Sequence, residues 1–418
     1  MAVKTGRELT KEVVASIQST LESLPPVSSN GCIYRVPENL RRVNEEAYRP
    51  LLVSIGPLYY DDPKLVPMKE QKLRYLQSFL LRNNIHNSVD YYAETVGRWE
   101  QGIRECYVTT IGLSSVAFIE MVLIDAFFII ELFLRAWSHE PVDENDRIFN
   151  KPRMISEVTR DLIIEENQLP FSILKCLYDL ASSSLCGRPS FIDLTYKFFS
   201  VKKDTFPQIL AKEDIRHFVD FLRLCHLPTS PKPRTSKDVK FELYPNVTQL
   251  SEAGVKFVAS QSADLLNIKF SRGVLEIPRF AVTDQAESFF RNIMVFEQCH
   301  HYSNSYIIDY FAFLSGLINT PKDVEVLIQS GIIENWLGSN EEVANFFNNI
   351  FRQTRLKEGN FYFSDLCKGL NAYASTPWHR WKAILKHDYF IHPWAVVSVI
   401  YAVVMLVLTV LQTIEGFN

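Results

Sequence analysis

Apolar residues recur at helical spacing along most of this chain. An N-terminal amphipathic helix, ending before Pro25-Pro26, is predicted by the stripe Leu9, Val13, Ile17, Leu21 and Leu24. A second helix is predicted after Pro67, with the apolar positions Met68, Leu73, Leu76 and Leu80. Thr320-Pro321 and Ser339-Asn340 are each followed by acidic residues, a pattern typical of helix N-termini. The pattern therefore predicts a mainly α-helical fold.

In one segment, apolar and polar residues alternate as in a β-strand. Residues 266–270 alternate in polarity, Ser271-Arg272-Gly273 follows, and residues 274–277 form a second strand-like run before Pro278. Because glycine readily adopts a left-handed turn conformation, Gly273 favours a short β-hairpin here.

Residues 116–134 are almost continuously apolar but contain Glu120, Asp125 and Glu131. Each acid near the centre of a bilayer would cost about 2.5–3.5 kcal/mol, so we predict a buried core helix rather than a membrane span. Buried carboxylates need partners, and the nearest basic candidates are Arg98, Arg104 and Arg160. We interpret the three acids as structural, with Glu165-Glu166 and Asp161 as further acidic candidates.

The last long apolar run is different, because residues 394–414 carry no charge. A helix of this length spans roughly 30 Å, the thickness of the hydrocarbon core of a bilayer. The sequence therefore predicts a C-terminal transmembrane helix that anchors a large helical head, residues 1–393.

The segment before this run mixes aromatic and basic residues, as at a membrane interface. The predicted collar consists of Trp378, Arg380, Trp381, Lys382, Lys386, Tyr389 and Trp394. The alternative is a final packed helix of the head. Because excess Lys and Arg lies on the cytoplasmic side of a span, we expect the head in the cytosol, as in tail-anchored proteins.

A Pro-rich stretch divides the predicted head in two. The expected organisation is a helix and loop (1–31), a first helical part (32–225), a linker or surface loop (226–240), a second helical part with the hairpin (241–377), the collar (378–393), the membrane helix (394–414) and a short tail (415–418). The membrane lipid is thus an expected partner, whereas the oligomeric state stays open.

Composition narrows the possible functions. A net charge of −4 does not give the chain the overall positive charge that is typical of nucleic-acid-binding proteins. Seven cysteines without a CxxC motif indicate reduced cytosolic thiols. Phosphate-loop, dinucleotide, zinc-protease, hydrolase and kinase motifs are absent from the sequence. Cys299-His300-His301 and Cys225-His226 are too local to predict a metal site. We therefore expect no catalytic residue, cofactor or metal.

Several segments resemble one known family. CIYRVPENLRRVNEEAYRPLLVSIGP (residues 32–57), EENQLPFSIL (165–174), FFRNIMVFEQC (289–299) and GIIENWLGSNEEVANFFN (331–348) are similar to the plant family catalogued as domain of unknown function 247, single-pass membrane proteins of the UPF0481 type. The family often has Tyr-His-His after SIGP, where this chain has Leu58-Tyr59-Tyr60-Asp61. The resemblance implies a membrane-anchored plant protein without defined catalytic residues. Some grass members are associated with self-incompatibility, which implies partner recognition.

Three functions remain open at this point. The first is a membrane-anchored, non-enzymatic interaction or signalling module with a protein partner. The second is an enzyme with an unrecognised carboxylate site near Glu120 or Glu165-Glu166. The third is a passive membrane scaffold that oligomerises through its head.

The orientation of the head can be tested at Asn246, which lies in the chain's Asn-Val-Thr glycosylation sequon. Because the basic flank places the head in the cytosol, we expect Asn246 to stay unglycosylated. Protease added outside intact microsomes should digest the head. A protected head that carries a glycan on Asn246 would reverse the orientation.

Overall fold

The structure is a computed structural model. It describes residues 6–22, 30–82, 89–138, 146–182, 189–201, 214–228, 243–357, 359, 361–376 and 393–415. In the last of these ranges, side chains are described at 401, 402 and 404–413.

The first half of the described chain packs around one helix, α5. Its helices are α1 (Gly6–Glu22), α2 (Glu38–Arg41), α3 (Met68–Arg82), α4 (Val89–Glu105), α5 (Ser115–Trp137), α6 (Pro152–Asp161), α7 (Phe171–Ser182) and α8 (Phe191–Phe198), with short 3-10 turns at Glu46–Tyr48 and Pro57–Tyr59. Helices α3, α4, α7 and α8 all contact α5. As predicted, the apolar run is a buried helix, and every side chain from Met121 to Leu134 is at most 8% exposed.

The second half forms another hydrophobic core. Its helices are α9 (Phe218–Leu224), α10 (Val247–Glu252), α11 (Asp284–His300), α12 (Tyr306–Leu317), α13 (Pro321–Gln329), α14 (Asn340–Ile350) and α15 (Ser364–Ala374), with a 3-10 turn at Tyr302–Asn304. Thr320 and Ser339 cap α13 and α14 through their side chains. Ile163 packs in this core while its neighbour Leu162 packs in the first, so the chain near residue 162 lies between the two cores.

The β-structure is more extensive than the predicted hairpin. Strands β2 (Lys269–Ser271) and β3 (Val274–Pro278) pair antiparallel across Arg272 and Gly273, whose φ angles are 50° and 79°. This confirms the turn, since both central residues are left-handed. Strand β1 (Lys256–Ser260) adds to β3 in parallel, giving the order β1-β3-β2. A second, parallel pair joins β4 (Phe280–Val282) to β5 (Ile333–Asn335).

The helix predicted after Pro67 is present as α3, and its predicted stripe is correct in part. Met68 is buried and Leu76 and Leu80 pack against the core, whereas Leu73 is 43% exposed. Lys72, Tyr75 and Phe79 are further buried positions of this helix. Lys72 lies on the buried face because it has a buried acidic partner on α5, described below.

Several predicted segments fall partly or wholly outside the described residues. They include residues 229–240 of the linker and the collar residues Trp378, Arg380, Trp381, Lys382, Lys386 and Tyr389. The final helix, α16 (Pro393–Glu415), contains Trp394, whose side chain is also outside the description. Across the described residues no helix combines the length and the apolar character needed to cross a membrane, so the predicted span stays a prediction.

Candidate functional site

A buried run of polar side chains lies between the two cores. Its members, hereafter the polar segment, are at most 1% exposed and comprise Asp161, Glu165, Glu166, Asn167 and Gln168. The segment begins at Asp161, the last residue of α6, and ends at Gln168, shortly before α7 begins at Phe171. Burying such groups is unfavourable unless each finds hydrogen-bond partners, so their contacts determine what the segment does.

Asp161 accepts three consecutive backbone N–H groups. Its carboxylate oxygens lie 2.8 Å from the nitrogen of Leu51, 2.7 Å from that of Leu52 and 2.9 Å from that of Val53. Arg160 lies beside it, with Nη1 3.4 Å from Oδ1. Asp161 therefore acts as an anchor for an extended stretch of backbone.

Asn167 and Gln168 continue this pattern. Asn167 Oδ1 accepts the Ile55 N–H at 2.7 Å, and its amide donates to the Val53 carbonyl at 3.0 Å. Gln168 Oε1 accepts the Phe218 N–H at 3.0 Å, at the start of α9. Both amides thus join distant parts of the chain.

Glu166 is held by three donors. Its carboxylate lies 2.7 Å from Arg41 Nη2, from the Val36 nitrogen and from the Tyr59 hydroxyl. It also lines a polar cavity of about 310 Å³ whose walls include Arg35 and Arg49. The Tyr59 hydroxyl thus donates to a buried carboxylate at the edge of this cavity.

Glu165 lies beside His217, but the two do not form an ion pair. Burial raises the pKa of Glu165 well above its usual range, and burial lowers the pKa of His217 to about 3. The His217 Nε2 atom lies 3.0 Å from the Cys32 carbonyl, to which it donates, and 3.9 Å from Glu165. Burial thus favours the neutral form of both side chains.

The Cys-His pairs noted in the sequence lie at the edge of this region. His300 Nδ1 is 2.7 Å from the Tyr34 hydroxyl, and burial lowers the pKa values of His300 and His301 to about 4 and about 3. His226 is bonded locally to the Leu222 carbonyl. Over the part of the chain that is described, no three His, Cys, Asp or Glu side chains are arranged to hold a metal ion.

The three acids predicted on α5 have different environments. Glu120 is exposed, which corrects its assignment to a buried set, because it lies one turn into the helix on the solvent side. Asp125 and Glu131 are buried, at 1% and 0% exposure. Asp125 forms an ion pair with Lys72 and accepts the Gly56 N–H at 2.9 Å.

The predicted basic partners of these acids were wrong. Glu131 pairs with Arg135 at 2.9 Å, one helical turn along α5, and Arg135 also bonds Asp146 at 2.6 Å. Arg104 instead bonds Glu100 on its own helix. The pair Glu131–Arg135 could have been predicted, because residues four apart lie next to each other on a helix. The pair Lys72–Asp125 could not, because its residues are on different helices and far apart in sequence.

Two further cavities among the described residues are possible ligand sites. Glu120 and Asp125 share a cavity of about 260 Å³ with Tyr60, Lys69 and Lys72, among other residues. A larger groove of about 500 Å³ runs between α4 and the start of α7. It is lined by Arg98, Trp99, Gly102, Ile103, Cys106, Pro170, Ser172, Ile173 and Cys176.

Comparison with known proteins identifies a family for this chain but does not identify an activity. The profile of DUF247, described as a plant protein of unknown function, matches residues 33–408. UPF0481 protein At3g47200 of Arabidopsis thaliana is 29% identical over 411 residues, covering 91% of this chain and 85% of the relative. Putative UPF0481 protein At3g02645 of the same plant is 22% identical over 502 residues, covering 96% and 93%. No solved structure matches significantly.

The Lys72–Asp125 pair generates a stability prediction. Lys72→Met leaves the Asp125 carboxylate buried without its cation, so we expect the free energy of unfolding to fall by about 3–5 kcal/mol at neutral pH. Burial already raises the pKa of Asp125, an effect that Lys72 opposes. The loss should therefore shrink as the pH falls and Asp125 takes up a proton.

Denaturant unfolding followed by circular dichroism measures this effect. Glu120→Gln, a charge change on the exposed part of the same helix, is the matched control and should leave stability nearly unchanged. The double variant Lys72→Met/Asp125→Asn removes both charges and keeps an amide oxygen to accept the Gly56 N–H, so it should recover much of the loss. A Lys72→Met protein that unfolds like the wild type would contradict the buried pair.

Proposed function

Because this chain belongs to the plant family of unknown function DUF247, for which no activity is given, we propose a function from its own side chains. It is a membrane-anchored, non-enzymatic recognition module of the plant cell, whose head binds a protein partner. The observation that carries the proposal is the groove between α4 and α7.

The groove has the composition of a protein-binding surface. Trp99 is 38% exposed, and Ile103, Pro170 and Ile173 supply apolar walls around it. Tryptophan and arginine are the residue types that contribute most to binding energy at protein interfaces. Trp99 on α4 and Ile173 on α7 lie on rigid elements, so the groove needs little ordering to receive a ligand.

The charge of the groove indicates the class of ligand. Among the described residues that line it, Arg98 carries a charge and none is acidic. A peptide segment that places an apolar side chain against Trp99 and a carboxylate near Arg98 would satisfy both features. We therefore propose an acidic, apolar peptide segment of another protein as the ligand.

The engagement of the buried carboxylates also favours recognition over catalysis. Asp161, Glu166 and Asp125 each accept backbone N–H groups, and Glu166 and Asp125 are also paired with cations. A group held by so many donors is not available as a general base. One observation favours the alternative of an enzyme: Glu120 and Asp125 open into the same cavity.

The membrane anchor is part of the proposal and rests on the last helix. Helix α16 has 23 residues, and residues 394–414 carry no charge. Its described large apolar side chains are exposed, among them Tyr401 at 65%, Leu406 at 68% and Leu411 at 52%. A bilayer would cover such a helix, with the basic flank holding the head in the cytosol.

The alternative of a passive scaffold has support from α1. This helix buries no residue, and Leu9, Ile17 and Leu21 are 57%, 54% and 60% exposed. Such a stripe could pair with a second copy. A monodisperse monomer of the full-length chain at high concentration would count against this alternative.

Trp99 provides the test of partner recognition. Proximity labelling in plant cells would identify candidate partners, and binding of each purified candidate to the full-length protein would then be titrated. Because a central aromatic residue contributes about 2 kcal/mol or more, Trp99→Ala should weaken binding by roughly 30-fold.

Trp336→Ala is the matched control, since Trp336 is 70% exposed and does not line the groove. It should change the affinity little. A partner that binds Trp99→Ala as tightly as the wild type would exclude the groove as its binding site. Labelling that returns no saturable partner would overturn the recognition function itself.

A further inference from the structure

Two cysteines from distant parts of the chain lie on neighbouring backbone segments. Residues 32–33 and 106–107 run side by side in a short parallel bridge that pairs Ile33 with Tyr107. The Cys106 carbonyl accepts the N–H of Cys32 at 2.8 Å and that of Ile33 at 2.9 Å. The Val108 N–H donates to the Ile33 carbonyl at 3.1 Å. Cys32 and Cys106 therefore lie side by side, each one residue before the bridged pair Ile33 and Tyr107.

This backbone geometry allows a disulfide. Neighbouring β-segments lie about 4.7–4.9 Å apart, within the Cα separation of about 4.4–6.8 Å that disulfides adopt. The Cys32 thiol is close enough to Cys106 to affect its pKa, the Cys106 thiol donates to the Gly102 carbonyl at 3.4 Å, and both cysteines are free. Forming the bond would thus leave the two paired backbone segments in place.

We propose that Cys32 and Cys106 form a reversible disulfide, so that this pair is a redox modification site of the head. Cys106 is the reactive member because it is partly exposed and lines the groove, whereas Cys32 is 3% exposed. Cys32 is the resolving member because it lies directly behind Cys106. This inference does not depend on what the groove binds.

The surrounding charges support this division of roles. A hydrogen bond from the Cys32 thiol lowers the pKa of Cys106, and Arg216 lowers it further. The hydrogen bond to Cys106 and burial raise the pKa of Cys32. The thiolate is the attacking form of cysteine, so Cys106 reacts first.

The oxidant is a peroxide, and the reaction balances without another reagent. The Cys106 thiolate attacks one peroxide oxygen, the O–O bond breaks, and the first water leaves, giving a sulfenic acid on Cys106. Cys32 then loses its proton and attacks the Cys106 sulfur. The S–S bond forms, the S–O bond breaks, and a second water leaves. Two thiols are oxidised by two electrons while hydrogen peroxide is reduced to two waters.

The disulfide would change the molecule at two places. It would fix residues 32–36, which carry the Tyr34 and Val36 N–H donors to the polar segment, against the end of α4. It would also remove the Cys106 thiol from the wall of the groove. Cys176 lines the same groove and is the competing thiol that a test must separate.

Peptide mapping of the full-length protein in detergent tests the proposal. The protein is treated with hydrogen peroxide, its free thiols are alkylated, and it is digested with trypsin without reduction. Cleavage places Cys32 in residues 12–35 and Cys106 in residues 105–135, each the single cysteine of its peptide. We expect these two peptides to be joined, with the loss of two hydrogens, and to separate on reduction with dithiothreitol.

Two variants make the result specific. Cys176→Ser should keep the joined peptide, and Cys106→Ser should lose it. Peptide mapping of the wild-type protein shows whether the Cys32–Cys106 disulfide forms, even if a variant folds poorly. Cys106 joined to Cys176, Cys106 oxidised to sulfinic acid without a link to Cys32, or no link at all would each overturn the proposal.

Discussion

The structure depends on hydrogen bonds that buried side chains accept from backbone N–H groups without a backbone partner. Residues 34–36 and 51–56 have no β-partner, so their buried N–H groups must find acceptors other than a neighbouring strand. Side chains supply them: Glu165 for Tyr34, Glu166 for Val36, Asp161 for residues 51–53, Asn167 for Ile55 and Asp125 for Gly56. Each buried N–H left without an acceptor would cost about 1–3 kcal/mol. The polar segment is thus the contact through which the N-terminal half is held.

Two of the segments that resemble the family, residues 32–57 and 165–174, lie on the two sides of this contact. A buried carboxylate also accepts backbone N–H groups in the second core, where Glu297 pairs with Arg223 and accepts the N–H groups of Ile307 and Ile308. Acidic residues in apolar surroundings therefore act in this protein as acceptors for backbone.

The sequence predicted the elements better than the contacts between them. Helical spacing and caps predicted α1, α5, α13 and α14, and Gly273 predicted the turn between β2 and β3, because these signals are local. The parallel pairing of β1 with β3 and the Lys72–Asp125 pair join residues that are distant in sequence, and no local period marks them. Glu120 was misplaced because its position near the start of α5 left it in solvent, although the surrounding run is apolar. The groove around Trp99 could not be predicted, since α4 and α7 form it only after folding.

Hydrogen exchange at the backbone N–H groups of residues 51–53 tests the central claim most directly. In the wild-type protein these amides should exchange slowly, because Asp161 accepts all three. Asp161→Asn keeps one acceptor oxygen and replaces the other with an amide group that donates. The amides bonded to the replaced oxygen, either Leu51 or Leu52 and Val53, should therefore exchange much faster in this variant. Amides within α5 should keep more of their protection, with Glu120→Gln as the control. Unchanged slow exchange at residues 51–53 in Asp161→Asn would contradict the account that buried carboxylates hold this backbone.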